Sequence, residues 1–197
     1  LDATADATDK GGYRHYMLKE IHEQPDSVRR TLEGRITDKQ VLINAFGAEA
    51  ESIFSQTKAV QIVACGSSFY AGLVAKYWCE QIVGVPCHVE IASEFRYRKV
   101  AVQPNTLMVT ISQTGETADT LAALRDATDE NYLASLCLCN VPNSSLVRES
   151  DLCLMINAGP EICVASTKAF TNQLTDLMLL VLALAKSQGM SPDDEAG

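Results

Sequence analysis

Six residues between an apolar run and a helix-like run have the composition of an anion-binding loop. Residues 112–117 read Ser-Gln-Thr-Gly-Glu-Thr and follow the apolar, β-branched residues 107–111. The first turn of a helix has unpaired N–H groups and a partial positive charge, to which hydroxyl and amide side chains add donors. The loop contains no lysine or arginine, which favours a small phosphate held by neutral dipoles over a nucleotide triphosphate. Its candidate ligands are Ser112, Gln113, Thr114 and Thr117.

Two other segments also lead from an apolar run into a helix through hydroxyl residues. They are residues 65–68, Cys-Gly-Ser-Ser, and residues 161–168, Glu-Ile-Cys-Val-Ala-Ser-Thr-Lys. A single segment of this kind would favour ordinary helix N-caps, here Ser68, Thr117 and Ser166. Three such loops after strands of one parallel sheet favour a shared ligand site, because the carboxyl ends of parallel strands meet at one edge.

The rest of the chain supplies the strands and helices that must position these loops. Strands are predicted at residues 60–64, 87–91, 107–111, 133–138 and 152–156, and the main helices at residues 13–24, 26–32, 48–55, 68–83, 117–127 and 166–186. Short apolar strands that alternate with helices are typical of βαβ units. The predicted fold is therefore α/β: a doubly wound, five-stranded parallel sheet flanked by helices, with an N-terminal helical extension.

Charge and composition narrow the class of protein. The 197 residues carry a formal net charge of −9, which disfavours binding to nucleic acid or to anionic membranes. The most apolar stretch, residues 177–185, is shorter than the roughly 20 residues that span a bilayer. The seven cysteines have neither a disulfide pattern nor zinc-ligand spacing, which favours a cytoplasmic protein without a metal site.

Other hypotheses for the same loops have weaker support. The motif GxxxxGK[ST] is absent, and the first loop lacks GxGxxG, although Glu90 lies where a ribose-binding acid would. A catalytic Cys65 would need a base, and the sequence places none of the three histidines nearby. Lys168 is more simply interpreted as an ion-pair partner than as a ligand contact.

Eight segments distributed along the chain form one recognisable set. They are Tyr13-Arg-His-Tyr-Met17, Lys19-Glu-Ile-His-Glu-Gln-Pro25, Ala64-Cys-Gly-Ser-Ser68 and residues 90–97, 112–120, 139–142, 144–151 and 164–170. Together they resemble the first sugar-isomerase (SIS) subdomain of the glucosamine-6-phosphate synthase family, from Tyr13 to about Leu184. The second loop alone would indicate only the wider sugar-phosphate-binding superfamily.

The resemblance implies an enzyme that makes glucosamine 6-phosphate from fructose 6-phosphate and glutamine. It implies that the hexose phosphate is held by Ser112, Gln113, Thr114 and Thr117 with Ser68, and that Ser67, Val164 and Ser166 approach the sugar. Ser67 and Thr114 depart from the family pattern but keep a hydroxyl, since Thr and Ser are usual there. Pro160 and Cys163, just before and within the third loop, depart further, since a polar residue and a glycine are usual there. No cofactor or metal is expected.

The resemblance also implies the domain organisation. Residues 1–12 would be a linker from an N-terminal glutaminase domain, 13–57 a helical extension, 58–188 the SIS phosphosugar-binding subdomain, and 189–197 a tail toward a second SIS subdomain. The family's catalytic base, lysines and ring-opening histidine belong to that second subdomain. We therefore expect a homodimeric enzyme of which this chain is an inactive fragment with no catalytic residue of its own.

Two alternatives stay open at the level of sequence. One is a sugar-phosphate sensor in a regulator, although residues 13–32 are too short for a DNA-binding helix-turn-helix. The other is a complete one-subdomain isomerase, for which residues 171–186 offer only Asp176 as a base. Glu116 and Glu161 are interpreted as acids placed at helix starts by the helix dipole.

Overall fold

Five parallel strands form the centre of the molecule in a computed structural model that describes residues 9–128 and 131–190. They are β1 (Ala59–Ala64), β2 (Cys87–Ile91), β3 (Thr106–Ser112), β4 (Ala134–Cys139) and β5 (Leu152–Met155). Their order across the sheet is β2-β1-β3-β4-β5. The chain moves outward in opposite directions from β1 and β3, so the sheet is doubly wound with its switch point between them. The predicted fold class is confirmed.

Helices cover both faces of this sheet and its β5 edge. They are α1 (Tyr16–His22), α2 (Gln24–Leu32), α3 (Ala50–Gln56), α4 (Gly66–Trp78), α5 (Ala92–Phe95), α6 (Ala118–Thr128), α7 (Ser145–Glu149) and α8 (Lys168–Ser187). A 3-10 helix, Ile43–Phe46, precedes α3, and a π-helical turn, Cys79–Val83, extends α4. In the described ranges no helix is both long enough and apolar enough to cross a membrane.

The central strands are apolar because both faces of the sheet are covered. β1 and β3 are buried along their whole length. Successive side chains of a strand point to opposite faces: Ile62 lies in the core cluster that includes α4 and α8 residues, and Val63 and Met108 lie in the cluster beneath α5 and α6. This double burial explains why the strands appear in the sequence as continuous apolar runs and not as alternating ones.

The start of α4 differs from the sequence prediction. Gly66 has a φ of 58°, which turns the chain immediately after β1, so the helix begins two residues earlier than predicted. Cys65 is the N-cap, and Ser68 lies buried inside the first turn. The interpretation of Ser68 as a helix cap was therefore wrong.

The start of α8 also differs from the sequence prediction. The N-cap is Thr167 and not Ser166, and the Thr167 side chain makes no capping hydrogen bond of its own. The Glu161 carboxylate takes over the capping role, because its Oε1 accepts the N–H groups of Thr167 at 2.9 Å and Ala169 at 3.1 Å. The acid thus lies at a helix start, as its interpretation from the sequence required.

The N-terminal extension covers the open edge of β5. Ser27, Thr31 and Arg35, spaced four residues apart along and just beyond α2, donate to backbone carbonyl groups of residues 155–158. This spacing places the three side chains on one side of the helix. Only the carbonyl of Met155, which accepts from Arg35, belongs to the edge strand β5. The extension thus holds the end of β5 and the segment that leads from it toward α8.

Candidate functional site

The first loop (residues 65–68) and the second loop (residues 112–117) leave neighbouring strands at the switch point. Ala64 of β1 pairs with Ile111 of β3, so the two loops begin side by side. The first leads into α4 and the second into α6. The unpaired N–H groups of two helix starts therefore meet in the crevice where doubly wound sheets bind ligands.

The Ser112 hydroxyl organises the second loop. Its Oγ accepts the N–H of Gly115 at 3.0 Å and lies 3.0 Å from Oγ1 of Thr117. The hydroxyl of Thr114 accepts the N–H of Glu116 at 3.2 Å. Ser112 is buried, Thr117 is half-buried and Thr114 is exposed. The turn thus brings together the hydroxyl groups of Ser112 and Thr117, two of the four predicted phosphate ligands in this loop, while the Thr114 hydroxyl bonds to the loop's own backbone.

Gly115 fits this turn for two independent reasons. Its φ is 69°, in the left-handed region that side chains disfavour. A Cβ at this position would lie 2.1 Å from Oγ and 2.5 Å from Cβ of Ser144, and 2.6 Å from Sγ of Cys139. The turn is therefore packed directly against the segment that follows β4.

That segment, residues 139–146, holds the backbone of the second loop from one side. The N–H of Asn140 donates to the carbonyl of Gln113 at 3.3 Å, and the N–H of Leu146 donates to the carbonyl of Gly115 at 3.2 Å. The fourth predicted ligand, Gln113, is thus fixed through its main chain while its side chain remains half-buried. A cradle held in this way is organised before any ligand arrives, which lowers the cost of binding.

Glu116 serves a different helix from the one that the sequence indicates. Its carboxylate accepts the N–H of Ser145 at 2.7 Å, at the start of α7 and not of α6. This backbone hydrogen bond lowers the pKa of the Glu116 carboxyl group. Because it bridges to α7, the carboxylate braces the loop and is an unsuitable general base.

The first loop contributes Ser67 and Ser68 from the opening turn of α4. Ser67 is half-buried and Ser68 is buried. Cys65 has no histidine partner on the adjacent strand: His88 pairs in register with Gln61, four residues and roughly 13 Å back along β1. Glu90 is engaged by Arg98, whose Nε donates to its carboxylate at 2.9 Å. These positions weaken both the catalytic-cysteine and the dinucleotide hypotheses.

The third loop (residues 161–168) differs from the other two because a carboxylate already occupies its helix start. Besides capping α8, Glu161 accepts a hydrogen bond from Oγ of Ser166 at 3.4 Å. An anionic phosphate there would be repelled by Glu161. The side chain of Val164 is fully exposed at the tip of the loop, with a relative accessibility of 104%. The loop therefore offers an apolar side chain and a neutral hydroxyl to its surroundings.

Glu20, on the N-terminal helix α1, binds the third loop through hydrogen bonds. Its Oε1 accepts the N–H groups of Ile162 at 2.7 Å and Cys163 at 3.1 Å, and its Oε2 accepts the hydroxyl of Thr167 at 3.1 Å. The carboxylate is buried, with 3% of the residue exposed. Cys163 is not among the residues with positive φ in the described ranges, so its backbone conformation does not require the glycine that is usual in the family.

Sequence reasoning correctly assigned Lys168 and missed the residues that support the loops. Lys168 is buried, and its Nζ lies 2.7 Å from the carboxylate of Glu23, so the ion-pair interpretation is confirmed. Neither Glu20 nor Ser144 was singled out. The available signals were weak: Glu20 lies in a segment that carried the family resemblance, and Ser144 follows a Pro-Asn turn in which Asn143 has a φ of 61°.

A groove of about 550 Å³ lies away from these loops, between α2, residues 36–41 and α8. Its walls include the apolar side chains of Leu32, Trp78, Leu174 and Met178. Among the residues described, its lining contains none of the predicted ligand contacts. The groove also lies away from the carboxyl ends of the strands, where doubly wound sheets bind ligands, so we place the candidate site at the sheet edge.

Comparison with known proteins shows what the chain is similar to. A family model for the SIS domain matches residues 53–183. The chain is 65% identical over 185 residues to glutamine–fructose-6-phosphate aminotransferase (isomerizing) of Pseudomonas syringae pv. tomato, covering 94% of this chain and 30% of that protein. The enzyme of the same name from Escherichia coli K12 is 58% identical over 190 residues, with 96% and 31% covered.

A solved structure agrees with the sequence matches. The C-terminal domain of glucosamine-fructose-6-phosphate aminotransferase from Francisella tularensis superposes with a TM-score of 0.93 at 52% identity, over 95% of this chain and 53% of that one. The chain spans about 30% of the length of the curated relatives named above. The resemblance inferred from the motifs is confirmed.

Proposed function

Because the chain belongs to the SIS domain family, we propose that it is the sugar-phosphate-binding subdomain of a glutamine–fructose-6-phosphate aminotransferase. The complete enzyme would make glucosamine 6-phosphate from fructose 6-phosphate and glutamine. The proposal is supported by 65% identity over 94% of the chain to a protein of that name. The same identity favours an enzyme over the alternative, a sugar-phosphate sensor in a regulator.

The observation that carries the proposal is the arrangement of the second loop. Two hydroxyl groups, of Ser112 and Thr117, lie 3.0 Å apart at the start of α6, in a loop without lysine or arginine. In our proposal these groups bind the phosphate of the hexose together with Gln113, Thr114 and Ser68. Ser67, Val164 and Ser166 would approach the sugar.

The chain's own acids do not fit the role of an isomerase base. Asp176 is wholly buried and pairs with Arg35, whose guanidinium nitrogen lies 2.7 Å from its carboxylate. Glu161 and Glu116 accept hydrogen bonds from helix-start N–H groups. A base must reach the substrate proton, so we assign binding and orientation to this chain and proton transfer to a second SIS subdomain.

The assembly that we propose follows from the same similarity. The chain spans about 30% of its curated relatives, which leaves length for a glutaminase domain and a second SIS subdomain. We propose that the complete protein is a homodimer in the cytoplasm. All seven cysteines, each within the described ranges, are free thiols, which fits a reducing compartment.

Ligand binding by the chain tests the proposal. Fructose 6-phosphate should raise the melting temperature by mass action, and NAD should not. Ser112→Ala with Thr117→Ala should weaken binding by at least tenfold, since each hydrogen bond to a charged group contributes about 1.5–3 kcal/mol. Ser55→Ala, which removes an exposed hydroxyl of α3, is the control. Stabilisation by NAD but not by hexose phosphates would refute the proposal.

A further inference from the structure

The third loop is folded around a buried carboxylate that belongs to another part of the chain. We propose that Glu20, on the N-terminal helix α1, is the positioning residue for the sugar-facing side of the site. The inference rests on the proposed function, and it deepens that function by making the helical extension part of the substrate site. It predicts that Glu20 governs recognition of the sugar and leaves recognition of the phosphate unchanged.

The hydrogen bonds indicate that the loop and Glu20 depend on each other. Between β5 and α8 the chain has no strand or helix, so its backbone N–H groups need partners from elsewhere. Two consecutive N–H groups, of Ile162 and Cys163, converge on one oxygen of Glu20. The Thr167 hydroxyl lies between two acceptors, the other oxygen of Glu20 at 3.1 Å and the carboxylate of Glu161 at 2.9 Å. A buried carboxylate in turn needs such donors, and charge-assisted hydrogen bonds are the stronger kind.

Glu20 can define the position of the loop because α1 is itself fixed against α8. Glu23 pairs with the buried Lys168 at 2.7 Å, and the hydroxyl of Thr171 donates to the side chain of Gln24. Glu20 and Gln24 are four residues apart, so their side chains follow one another on one side of the chain. These contacts hold α1 at a fixed register along α8.

The two halves of the site therefore have separate supports. The second loop is braced by residues 139–146, as the hydrogen bonds to the carbonyls of Gln113 and Gly115 show. The third loop is held by α1. Loss of Glu20 should release Val164, which follows the two N–H groups that Glu20 accepts, while Ser166 keeps its bond to Glu161. The phosphate-binding loop should remain intact.

Affinity for two probes separates these effects. We would measure binding of fructose 6-phosphate and of inorganic phosphate by calorimetry for the whole chain and its Glu20→Ala and Glu20→Gln variants. For Glu20→Ala, the preference for the hexose phosphate should fall roughly tenfold, equivalent to one lost hydrogen bond of about 1.4 kcal/mol. Affinity for inorganic phosphate should not change. Glu20→Gln should lie between, because its amide oxygen can still accept from the Ile162 and Cys163 N–H groups.

A matched control and a direct structural measurement accompany the binding data. Asp26→Asn removes a carboxylate from the neighbouring helix α2, where its partner is the exposed Arg29 and not the loop backbone, so its hexose preference should match that of the wild type. Hydrogen exchange at the amides of Ile162 and Cys163 should accelerate in Glu20→Ala and remain slow in Asp26→Asn.

The other possible outcomes would overturn either the inference about Glu20 or the proposed function. An unchanged hexose preference in Glu20→Ala, with the wild type still preferring the hexose phosphate, overturns the inference alone. Equal losses for both probes overturn it too, because Glu20 would then support the whole fold and not one side of the site. Unchanged exchange at the Ile162 and Cys163 amides also overturns it. A wild-type chain that binds no hexose phosphate refutes the proposed function, and the inference with it.

Discussion

Replacing Gly115 with alanine should destabilise the protein through both the backbone and the packing of the second loop. The φ of 69° places the new side chain in the left-handed region, at a cost of about 1–2 kcal/mol. The new Cβ would also lie 2.1 Å from Oγ and 2.5 Å from Cβ of Ser144. Rotation of the serine hydroxyl would relieve only the first contact, because Cβ is fixed to the backbone. Overpacking of this kind costs about 1–3 kcal/mol.

The two contributions give an expected loss of about 2–5 kcal/mol in the free energy of unfolding for Gly115→Ala. Gly84→Ala is the matched control, since Gly84 has a similar φ of 77° and a Cβ added to it would meet no atom within 4 Å. It should cost only the backbone strain of about 1–2 kcal/mol. Urea unfolding of the two variants isolates the contribution of packing against residues 139–146.

A double variant tests the cause directly. Adding Ser144→Gly to Gly115→Ala removes the two closest contacts of the new methyl group, although Sγ of Cys139 remains at 2.6 Å. The pair should therefore be non-additive, with part of the stability recovered. If Gly115→Ala costs no more than Gly84→Ala, or if the double variant recovers nothing, the close approach of loop and brace is not what selects glycine here.

Three further predictions concern buried and bridging groups. Arg35→Met should cost about 3–5 kcal/mol at neutral pH, because it leaves the buried Asp176 without its ion-pair partner. Burial raises the pKa of Asp176 well above its usual value, so this cost should shrink on acidification as the carboxyl group becomes neutral; urea unfolding across pH would show it. Because the pKa of the Glu116 carboxyl group is lowered, its bond to the N–H of Ser145 should stabilise the fold above the usual carboxyl pKa and be lost as the pH falls through the lowered pKa. Protection of the Ser145 amide against hydrogen exchange should follow the same pH dependence, and Glu116→Gln should abolish it. Gly72→Ala should cost less than Gly115→Ala in the same unfolding assay. Gly72 is not among the glycines with positive φ, its Cβ would meet methyl groups of β1 and β2 at 2.9 and 3.0 Å and not at 2.1–2.6 Å, and alanine favours the helix by about 1 kcal/mol.

The sheet could be predicted from the sequence because each strand carries its own signal. Continuous apolar runs such as residues 107–111 require burial on both faces, and the helical stretches between them require parallel crossovers. The meeting of the first and second loops follows from that topology, since strands at a switch point are neighbours. The apolar pattern of each strand and the alternation of strands with helices were therefore sufficient to predict the sheet.

The supports of the loops could not be predicted because they come from distant parts of the chain. Glu20 reaches residues more than 140 positions away, and no periodicity links a single acid on a seven-residue helix to a loop N–H group. The helix start at Gly66 was missed for a local reason: a hydroxyl at Ser68 suits a cap or a buried first turn equally well. Only the positive φ of Gly66 decides between them.

In the site that we propose, the hydrogen bonds of the second loop would let neutral groups hold an anion in a chain of net charge −9. Ser112 Oγ accepts a hydrogen bond from the N–H of Gly115, and it forms a second one with the Thr117 hydroxyl in which either group can donate. When Ser112 donates in this second bond, the hydroxyl hydrogen of Thr117 is available to a ligand, and each bond in the series polarises the next. Binding then requires a hydroxyl rotation and not a backbone movement, so little of the interaction energy is lost to reorganisation. Local preorganisation thereby opposes a repulsive but distant and solvent-screened net charge.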